Sequence, residues 1–584
     1  MKAQRGDFSA DRRLLSISAI SCVIGVLCAF VALLLIKLIA LFTNLFFFQT
    51  FSFQSMAPAE NTLGWMVVFV PAIGGLMIGL MARFGSEKIR GHGIPEALEA
   101  ILFGKSIMST KVAMLKPLSS AISIGSGGPF GAEGPIIMTG GAFGSLIGQG
   151  FRLTDSERKT LLVAGASAGM AAVFATPVAA ILLAVELLLF EWRPRSLVPV
   201  AVASIVASTI RPYLLGPSPI FLFPNPVEVS TIGILASCVS GLIAGFFSTA
   251  TSGLLYKLED AFHRLPIHWM WWPLIGGLAV GIGGYLQPHA LGVGYDVIED
   301  LLKGNIVAQA ALALLAVKSL IWVISLASGT SGGVLAPLLM MGCGLGMVET
   351  LFLPGELKVI YPLMSMAAVM GGMMRAPFTA IMFAFELTHN VDALVPTLVA
   401  TIVSYTVTVL IMKRSILTEK VARRGFDIFR EYGVDPLEIT HVAEVMTKNV
   451  ITIDEHLLLS SLTDQYFNGQ QKFRGYPVVD ANGQLEGIIT ASDILEKRLL
   501  PNASSLTCGD VAKTSIVTIY PNESCREAAE KMASLNIGRL LVVEEGNSKK
   551  LIGIITRSDL LKPRLKHHTS ENVRERVLRT KKLS

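Results

Sequence analysis

One glycine-rich segment of the chain occurs twice. Residues 126–144 and 328–346 match at a spacing of 202 residues, with serine, glycine, proline and methionine at equivalent positions. Glu133 of the first copy stands where the second copy has Leu335. Repetition of this kind indicates two copies of one structural unit. We therefore expect a duplicated scaffold whose halves differ by one carboxylate at the repeated turn.

The repeat extends well beyond this segment. Three further pairs of segments match at spacings of 200 to 202 residues: 71–76 with 273–278, 91–95 with 292–296, and 176–187 with 376–387. The two units therefore span about residues 14–215 and 230–412. Duplicated membrane units are often inverted, and they bind their ion where the copies meet, through broken helices.

The first part of the chain is too apolar for an ordinary soluble protein. Hydrophobic residues make up 52% of the sequence and charged residues 16%, where roughly a quarter charged is usual. Between Leu14 and Ala82 the only charged side chains are Lys37 and Glu60. Apolar runs of this length span a bilayer. A secretory signal peptide fits poorly, because its apolar stretch would be shorter. The sequence predicts an integral membrane protein.

Basic residues flank the apolar part at both ends. They are Lys2, Arg5, Arg12 and Arg13 before it, and Lys413, Arg414, Lys420, Arg423 and Arg424 after it. Positive flanks favour the cytoplasm. We therefore expect a multi-pass protein of the cell (inner) membrane, with residues 1–13 as a cytoplasmic N-terminal segment and the C-terminus also cytoplasmic.

The six cysteines and nine histidines show no metal-ligand spacing, so no metal site is predicted.

Beyond residue 413 the charge density rises and short strands alternate with helical patterns, as in a soluble α/β module. This part is duplicated as well. Residues 487–493 return as residues 553–559, at a spacing of 66 residues. The sequence ends in a basic tail, residues 564–584, to which we assign no chemistry.

Three glycine-rich turns lie in or beside apolar segments: residues 91–95, 131–135 and 333–337. Each contains a proline where a helix can begin. A helix N-terminus offers free backbone N–H groups and a partial positive charge. Several N-termini directed at one point form an anion site without a fixed cation. Close helix packing through glycine is the alternative for a single turn. Three turns at repeat-related places favour an anion site.

Glu133 lies inside the second turn. A carboxylate within the membrane is costly and indicates a function. Surrounded by amide donors, it can take the place of the anion when ionised and leave when protonated, and so act as gate and proton carrier. A helix-capping role is the alternative.

Glu186 and Glu386 occupy equivalent places in the two copies, which favours a shared structural role near a helix end. Glu191 is expected in an interfacial ion pair with Arg193 or Arg195.

The three turns resemble the selectivity-filter motifs of the CLC chloride channels and antiporters, and the resemblance covers about residues 14–425. It implies an α-helical membrane protein with two inverted repeats whose broken helices meet at an anion site. Glu133 would be the external gating glutamate, and the amides of Val334 and Leu335 would bind the central anion. The other predicted anion-binding residues are His92, Gly93, Gly131, Ala132 and Gly134.

Three positions depart from the family pattern. His92 replaces the usual filter serine, and Leu417 replaces the filter tyrosine. Leu187 stands where the antiporters have their internal proton-transfer glutamate. Leucine carries no proton, which favours passive or loosely proton-coupled chloride transport, gated by voltage or pH. A tightly coupled H⁺/Cl⁻ antiporter is the alternative. For His92, donation of an N–H to the anion and a hydrogen bond to a backbone carbonyl both remain open.

The duplicated soluble part resembles a pair of CBS domains, residues 441–500 and 506–563. This resemblance implies adenine-nucleotide regulation, with Asp493 and Thr490 in one candidate pocket and Asp559 and Thr556 in the other. A purely structural, dimer-stabilising pair is the alternative. By the CLC resemblance the protein would work as a homodimer in the lipid bilayer, with chloride or another small anion as substrate and no required cofactor.

Two other classes fit less well. A CBS-regulated divalent-cation transporter needs clustered membrane carboxylates to hold Mg²⁺, whereas these turns present amides and one acid. An enzyme needs a nucleophile–base pair or metal ligands in the apolar part. We therefore expect an anion transport protein that is not an enzyme and binds no nucleic acid.

Overall fold

A computed structural model of the protein describes residues 12–216, 219–221, 223, 229–354, 357–426, 436–467, 473, 475–497, 505–563 and 565. Most of the predicted N-terminal segment, residues 1–13, and of the basic tail, residues 564–584, therefore lies outside the described residues. Contacts divide the chain into two units, Met1–Ile428 and Phe429–Asn572.

The described part of the first unit is built from helices. In chain order they are α1 (Arg13–Thr43), α2 (Val70–Phe84), α3 (Ile94–Leu102), α4 (Thr110–Gly125), α5 (Glu133–Gly150), α6 (Asp155–Phe174), α7 (Pro177–Leu183), α8 (Pro194–Leu215), α9 (Thr231–His263), α10 (Trp272–Leu286), α11 (Tyr295–Lys303), α12 (Ala308–Ala327), α13 (Leu335–Glu349), α14 (Tyr361–Met374), α15 (Pro377–Thr388), α16 (Leu394–Ile411) and α17 (Ile416–Arg423). Two π-helical segments, Asn44–Phe48 and Ala184–Leu189, continue α1 and α7.

Among the described helices, six segments are long and apolar enough to cross a membrane. Others are short because glycine and proline interrupt the apolar sequence. The helices α3, α5 and α13 each begin at one of the three glycine-rich turns. Their N-termini therefore lie within the helical body rather than at its surface, and Glu133 and Leu335 are both wholly buried.

Helices α2 and α10 pack against each other in a reciprocal way. A Cβ atom on Gly75 of α2 would overlap the carbonyl of Pro273, and one on Gly277 of α10 would overlap the carbonyl of Pro71. Only glycine permits backbones to approach this closely. Because Gly75 follows Pro71 by four residues and Gly277 follows Pro273 by four, the two repeats make the same contact with each other.

The second unit has strands and short helices. In its described residues these are α18 (Pro436–Ile439), α19 (Val442–Val445), β1 (Ile453–Asp454), α20 (Leu459–Tyr466), β2 (Gly475–Val479), β3 (Leu485–Thr490), α21 (Ala491–Lys497), α22 (Cys508–Val511), β4 (Thr518–Ile519), α23 (Cys525–Ser534), β5 (Arg539–Glu544) and β6 (Asn547–Thr556).

The two halves of the second unit repeat one sheet topology. In the first sheet β1 is parallel to β2 and β2 is antiparallel to β3; the second sheet has the same order in β4, β5 and β6. Each half has a buried apolar core, which includes Val478 and Ile489 in the first and Val542 and Ile555 in the second. The repeat seen in the sequence is thus a repeat of a βαββ-type element.

Candidate functional site

The three glycine-rich turns meet at one place. The Gly333 N–H donates to the Gly131 carbonyl at 2.9 Å, and the Gly131 N–H donates to the Gly333 carbonyl at 3.3 Å. The first turn joins them through a bridge between Gly91 and Ser331. These contacts satisfy part of the irregular backbone that a membrane interior would otherwise leave unpaired. They also bring the starts of α3, α5 and α13 together.

Glycine is required where the turns touch. Gly93 has a φ of 88°, which side-chain-bearing residues rarely adopt. A Cβ atom on Gly134 would overlap the carbonyl of His92. The first turn therefore lies directly against the second, and the predicted residues His92, Gly93, Gly131, Ala132 and Gly134 belong to one cluster.

Glu133 is wholly buried at the start of α5, and it faces the start of α13. Its Oε1 accepts the N–H of Ala336 at 3.0 Å. Its Oε2 has no hydrogen-bond partner among the described residues. The carboxylate therefore lies at a helix N-terminus, where an anion is stabilised. Val334 and Leu335 are wholly buried beside it, but the amide that reaches Glu133 belongs to the next residue, Ala336, which we did not predict.

The three departures from the family pattern are all buried. His92 is 1% exposed, and its Nδ1 has no hydrogen-bond partner within the described structure. Leu417 of α17 and Leu187 of the π-helical segment are wholly buried. Both leucines belong to the main apolar core. Neither side chain has an atom that binds a proton or donates a hydrogen bond.

Two buried lysines, neither of which was predicted, hold the backbone at the first turn and at the equivalent place in the second repeat. Lys116 of α4 donates to the carbonyls of Ile89 and Gly91 at 2.8 and 2.7 Å and to Ser331 Oγ at 3.0 Å. Lys318 of α12 donates to the carbonyls of Ala290 and Gly292 at 2.9 and 2.8 Å. The two lysines are 202 residues apart, which is the spacing of the repeat. The repeat spacing could therefore have identified the two lysines as equivalent residues in the sequence.

An acidic side chain, also missed, fixes the start of α3. The buried Glu96 accepts the Gly93 N–H at 2.9 Å and the Arg424 guanidinium at 2.7 Å. The spacing of Gly93 and Glu96 is that of a capping box, which could have indicated it. Glu96 and Arg424 also line a cavity of about 720 Å³, whose other walls include Met138 and Phe103.

Glu186 and Glu386 each cap the start of a helix in the opposite repeat. Glu386 of α15 accepts the N–H groups of Val178 and Ala179 at 2.9 and 2.8 Å. Glu186 accepts those of Phe378 and Thr379 at 3.2 and 2.8 Å. The predicted structural role near a helix end is confirmed, and each cap crosses from one repeat to the other. Glu191 forms the expected ion pair with Arg193, at 3.5 Å.

In the second unit the two candidate nucleotide residues have equivalent partners. Asp493 Oδ2 accepts the Thr490 N–H at 2.9 Å, and its Oδ1 lies 2.5 Å from Lys513 Nζ. Asp559 binds Thr556 and Lys562 in the same way. Burial raises the pKa of Asp493, but the hydrogen bonds from Lys513 and Thr490 outweigh it and hold the pKa below the usual range. Both carboxylates therefore already have a threonine and a lysine as partners.

These features define a class of protein. It is a helical membrane protein of two repeats, whose broken helices direct backbone amides at one centre. Residues 73–409 match the family described as voltage gated chloride channel, and residues 442–499 and 508–565 match the CBS domain. The chain therefore belongs to the voltage-gated chloride channel (CLC) family and carries two CBS domains.

Known proteins of this family are similar to the chain. A ClcB-like chloride channel protein of Ralstonia nicotianae is 28% identical over 385 residues, which are 64% of this chain and 90% of the relative. The H(+)/Cl(-) exchange transporter ClcA of Klebsiella pneumoniae is 27% identical over 425 residues, 68% of this chain and 88% of the relative.

A solved structure of a eukaryotic CLC transporter matches the fold with a TM-score of 0.62 at 18% identity, covering 94% of this chain and 98% of that one. The predicted family and the predicted fold, a CLC-like membrane part followed by an α/β CBS pair, are confirmed. The protein is a membrane protein, and its activity is CLC-type transport of the anion chloride.

Proposed function

We propose that chloride passes between the N-termini of α3, α5 and α13, and that Glu133 closes this route from the outer side. One observation carries the proposal: the Glu133 carboxylate accepts the N–H of Ala336 at the start of α13. A carboxylate and chloride have the same charge and compete for the same amides. Protonation removes the charge of Glu133 and weakens its hydrogen bond. Chloride flux should therefore rise as pH falls, or as voltage drives the carboxylate out.

We further propose passive or loosely proton-coupled transport. The wholly buried Leu187 supports this, because its hydrocarbon side chain has no atom that can relay a proton from the cytoplasm to Glu133. The alternative is a tightly coupled antiporter. It is favoured by the ClcA relatives, which are named as exchange transporters of H⁺ and Cl⁻.

The test is chloride efflux from proteoliposomes with simultaneous recording of external pH. For the unaltered protein we expect chloride flux that rises at acidic pH, with little proton movement against a gradient. Glu133→Ala should give flux that no longer depends on pH, because no carboxylate competes for the amides. Repeating the measurement with fluoride and nitrate would define which anions pass.

Glu60→Ala is a matched control, since Glu60 is an exposed glutamate of the same unit. It should leave rate and pH dependence unchanged. If Glu133→Ala also changed neither, the gating mechanism would be wrong. If a chloride gradient drove protons uphill at a fixed ratio, the protein would be a coupled antiporter despite Leu187.

The remaining expectations belong to the same proposal. The protein would be a homodimer in the inner membrane with both termini cytoplasmic, supported by Arg12 just before α1 and Arg13 at its start. The transport part would span residues 14–425, and the CBS domains residues 441–500 and 506–563.

Adenine nucleotides would act through Asp493 and Asp559 only if they displaced Lys513 and Lys562. A purely structural role of the pair therefore competes with nucleotide binding. Titration with ATP, followed by intrinsic tyrosine fluorescence and by chloride flux, would separate the two roles.

A further inference from the structure

A cluster of aromatic rings lies near Glu133. Tyr295, the first residue of α11, has its ring centroid 6.1 Å from that of Phe174, with an edge-to-face angle of 89°. The Phe221 ring lies 6.4 Å from Tyr295, and the Phe383 ring lies 4.9 Å from Phe174. Packing of this kind fixes the tyrosine ring. Of these four rings only that of Tyr295 carries a hydroxyl group.

That hydroxyl is buried without a hydrogen-bond partner among the described residues. Glu133 Oε2 is in the same condition, and the two groups interact electrostatically. A buried tyrosine hydroxyl usually has a partner, and leaving it unpaired costs free energy. Two buried polar atoms that lack partners and whose groups interact therefore indicate a second arrangement in which they meet.

The backbone holds the tyrosine beside the anion site. Ala336, which donates to Glu133, and Met340 lie four residues apart on one face of α13. The Met340 side chain fills the space beside Gly294, which has a φ of 75° and immediately precedes Tyr295. Tyr295 is therefore anchored to the same helix that binds the Glu133 carboxylate.

Other charged groups near α5 have partners elsewhere. The helices packed against it are α1, α3, α4, α6 and α13. Their buried charged side chains are Glu96, Lys116, Arg158 and Glu349. They bind, in that order, Arg424, the carbonyls of Ile89 and Gly91, Asp155, and the hydroxyls of Ser240 and Ser365.

We propose that the Tyr295 hydroxyl receives the Glu133 carboxylate when the carboxylate leaves the N-terminus of α13. The tyrosine O–H then donates to a carboxyl oxygen, and the gate has a defined open position. The inference rests on the proposed gating role of Glu133. It assigns Tyr295 as a positioning residue, one that the first repeat lacks, because Ile94 stands at the equivalent place.

The experiment is a four-variant cycle in proteoliposomes: the unaltered protein, Tyr295→Phe, Glu133→Ala and the double variant. Tyr295→Phe keeps the ring and removes only the hydroxyl. Losing one hydrogen bond to a carboxylate should reduce initial chloride efflux about fivefold or more. In the Glu133→Ala background the same substitution should change nothing, because no carboxylate remains to be received.

Tyr285→Phe is the control, since Tyr285 is 55% exposed, and it should behave as the unaltered protein. Equal efflux for Tyr295→Phe and the unaltered protein would overturn the inference. So would a reduction that persists in the Glu133→Ala background, because the hydroxyl would then act on the anion itself or on the fold. The Glu133→Ala variant alone tests the gate: if its pH dependence is normal, the proposed function fails, whatever Tyr295 does.

Discussion

Lys116 supports the proposed anion site without belonging to a glycine-rich turn. Its ammonium group is wholly buried and has three acceptors, two of which are the carbonyls of Ile89, just before the first turn, and of Gly91, its first residue. A buried ammonium group is tolerated only with such partners. The third acceptor, Ser331, lies next to the third turn. Lys116 therefore ties two of the three turns to α4.

We predict that Lys116→Met destabilises the protein by about 3 kcal/mol or more, because each buried acceptor left without a donor costs about 1–3 kcal/mol. Chloride flux should fall with it, since the first turn loses its support. Thermal unfolding in detergent and proteoliposome efflux would measure the two effects.

Lys111→Met is the control for this prediction, since Lys111 is an exposed residue of the same helix. It should change neither stability nor flux. Lys116→Arg should not restore the unaltered protein, because a planar guanidinium does not replace a compact ammonium group. Normal stability and flux in Lys116→Met would refute the supporting role.

At the scale of elements, the reciprocal caps join the two repeats. The carboxylate of Glu186 lies at the start of α15, and that of Glu386 at the start of α7. A carboxylate at a helix N-terminus pairs with free N–H groups and with the helix dipole. Because each repeat supplies the cap of the other, neither of these two helix starts is satisfied by its own repeat.

Glu186→Gln and Glu386→Gln should each lower the free energy of unfolding by about 1 kcal/mol, because the amide keeps one acceptor but loses the charge. Each carboxylate accepts two backbone N–H groups, so the effects should be of the same order, with that of Glu186→Gln the larger because Glu186 Oε2 also accepts the Thr379 hydroxyl at 2.6 Å. Thermal unfolding in detergent would measure them against Glu299→Gln, which alters an exposed pair with Lys303. A much larger effect of one variant, or altered proton movement, would indicate a role in transport.

The sequence predicted which elements are equivalent better than which side chains touch. The spacing of 202 residues was sufficient to relate the second turn to the third and Glu133 to Leu335. It did not indicate that Glu186 caps a helix of the second repeat and Glu386 a helix of the first. Partners that are 192 to 208 residues apart leave no local sequence pattern. The ion pair of Glu96 with Arg424 was missed for the same reason, since its partners are 328 residues apart, whereas the capping contact of Glu96 with Gly93 is local.

For the whole molecule, symmetric packing supports an asymmetric site. Gly75 and Gly277 make the same contact from opposite sides, and Lys116 and Lys318 both hold a turn through two carbonyls. The two repeats carry different side chains at the proposed site. Glu133 of the first repeat corresponds to the apolar Leu335 of the second, and Tyr295 of the second corresponds to the apolar Ile94 of the first. Each of these two polar groups therefore occurs in only one copy of the duplicated frame.

The two units have separate apolar cores, and this permits a test on the whole chain. The ion pairs of Arg424 with Glu96 and Glu99 precede the end of the first unit. A chain that stops after Ile428 keeps them, together with all three turns. We predict that it retains chloride flux within about twofold, because the apolar core of the first unit lies within the residues that are kept and a domain with its own core can fold alone, and that any effect of ATP on flux disappears. Flux should be measured with and without ATP for both lengths of chain, at matched monodispersity in size-exclusion chromatography.

Loss of flux in a well-folded truncated protein would mean that transport depends on the CBS unit. An ATP effect that survives truncation would place the nucleotide site in the membrane unit.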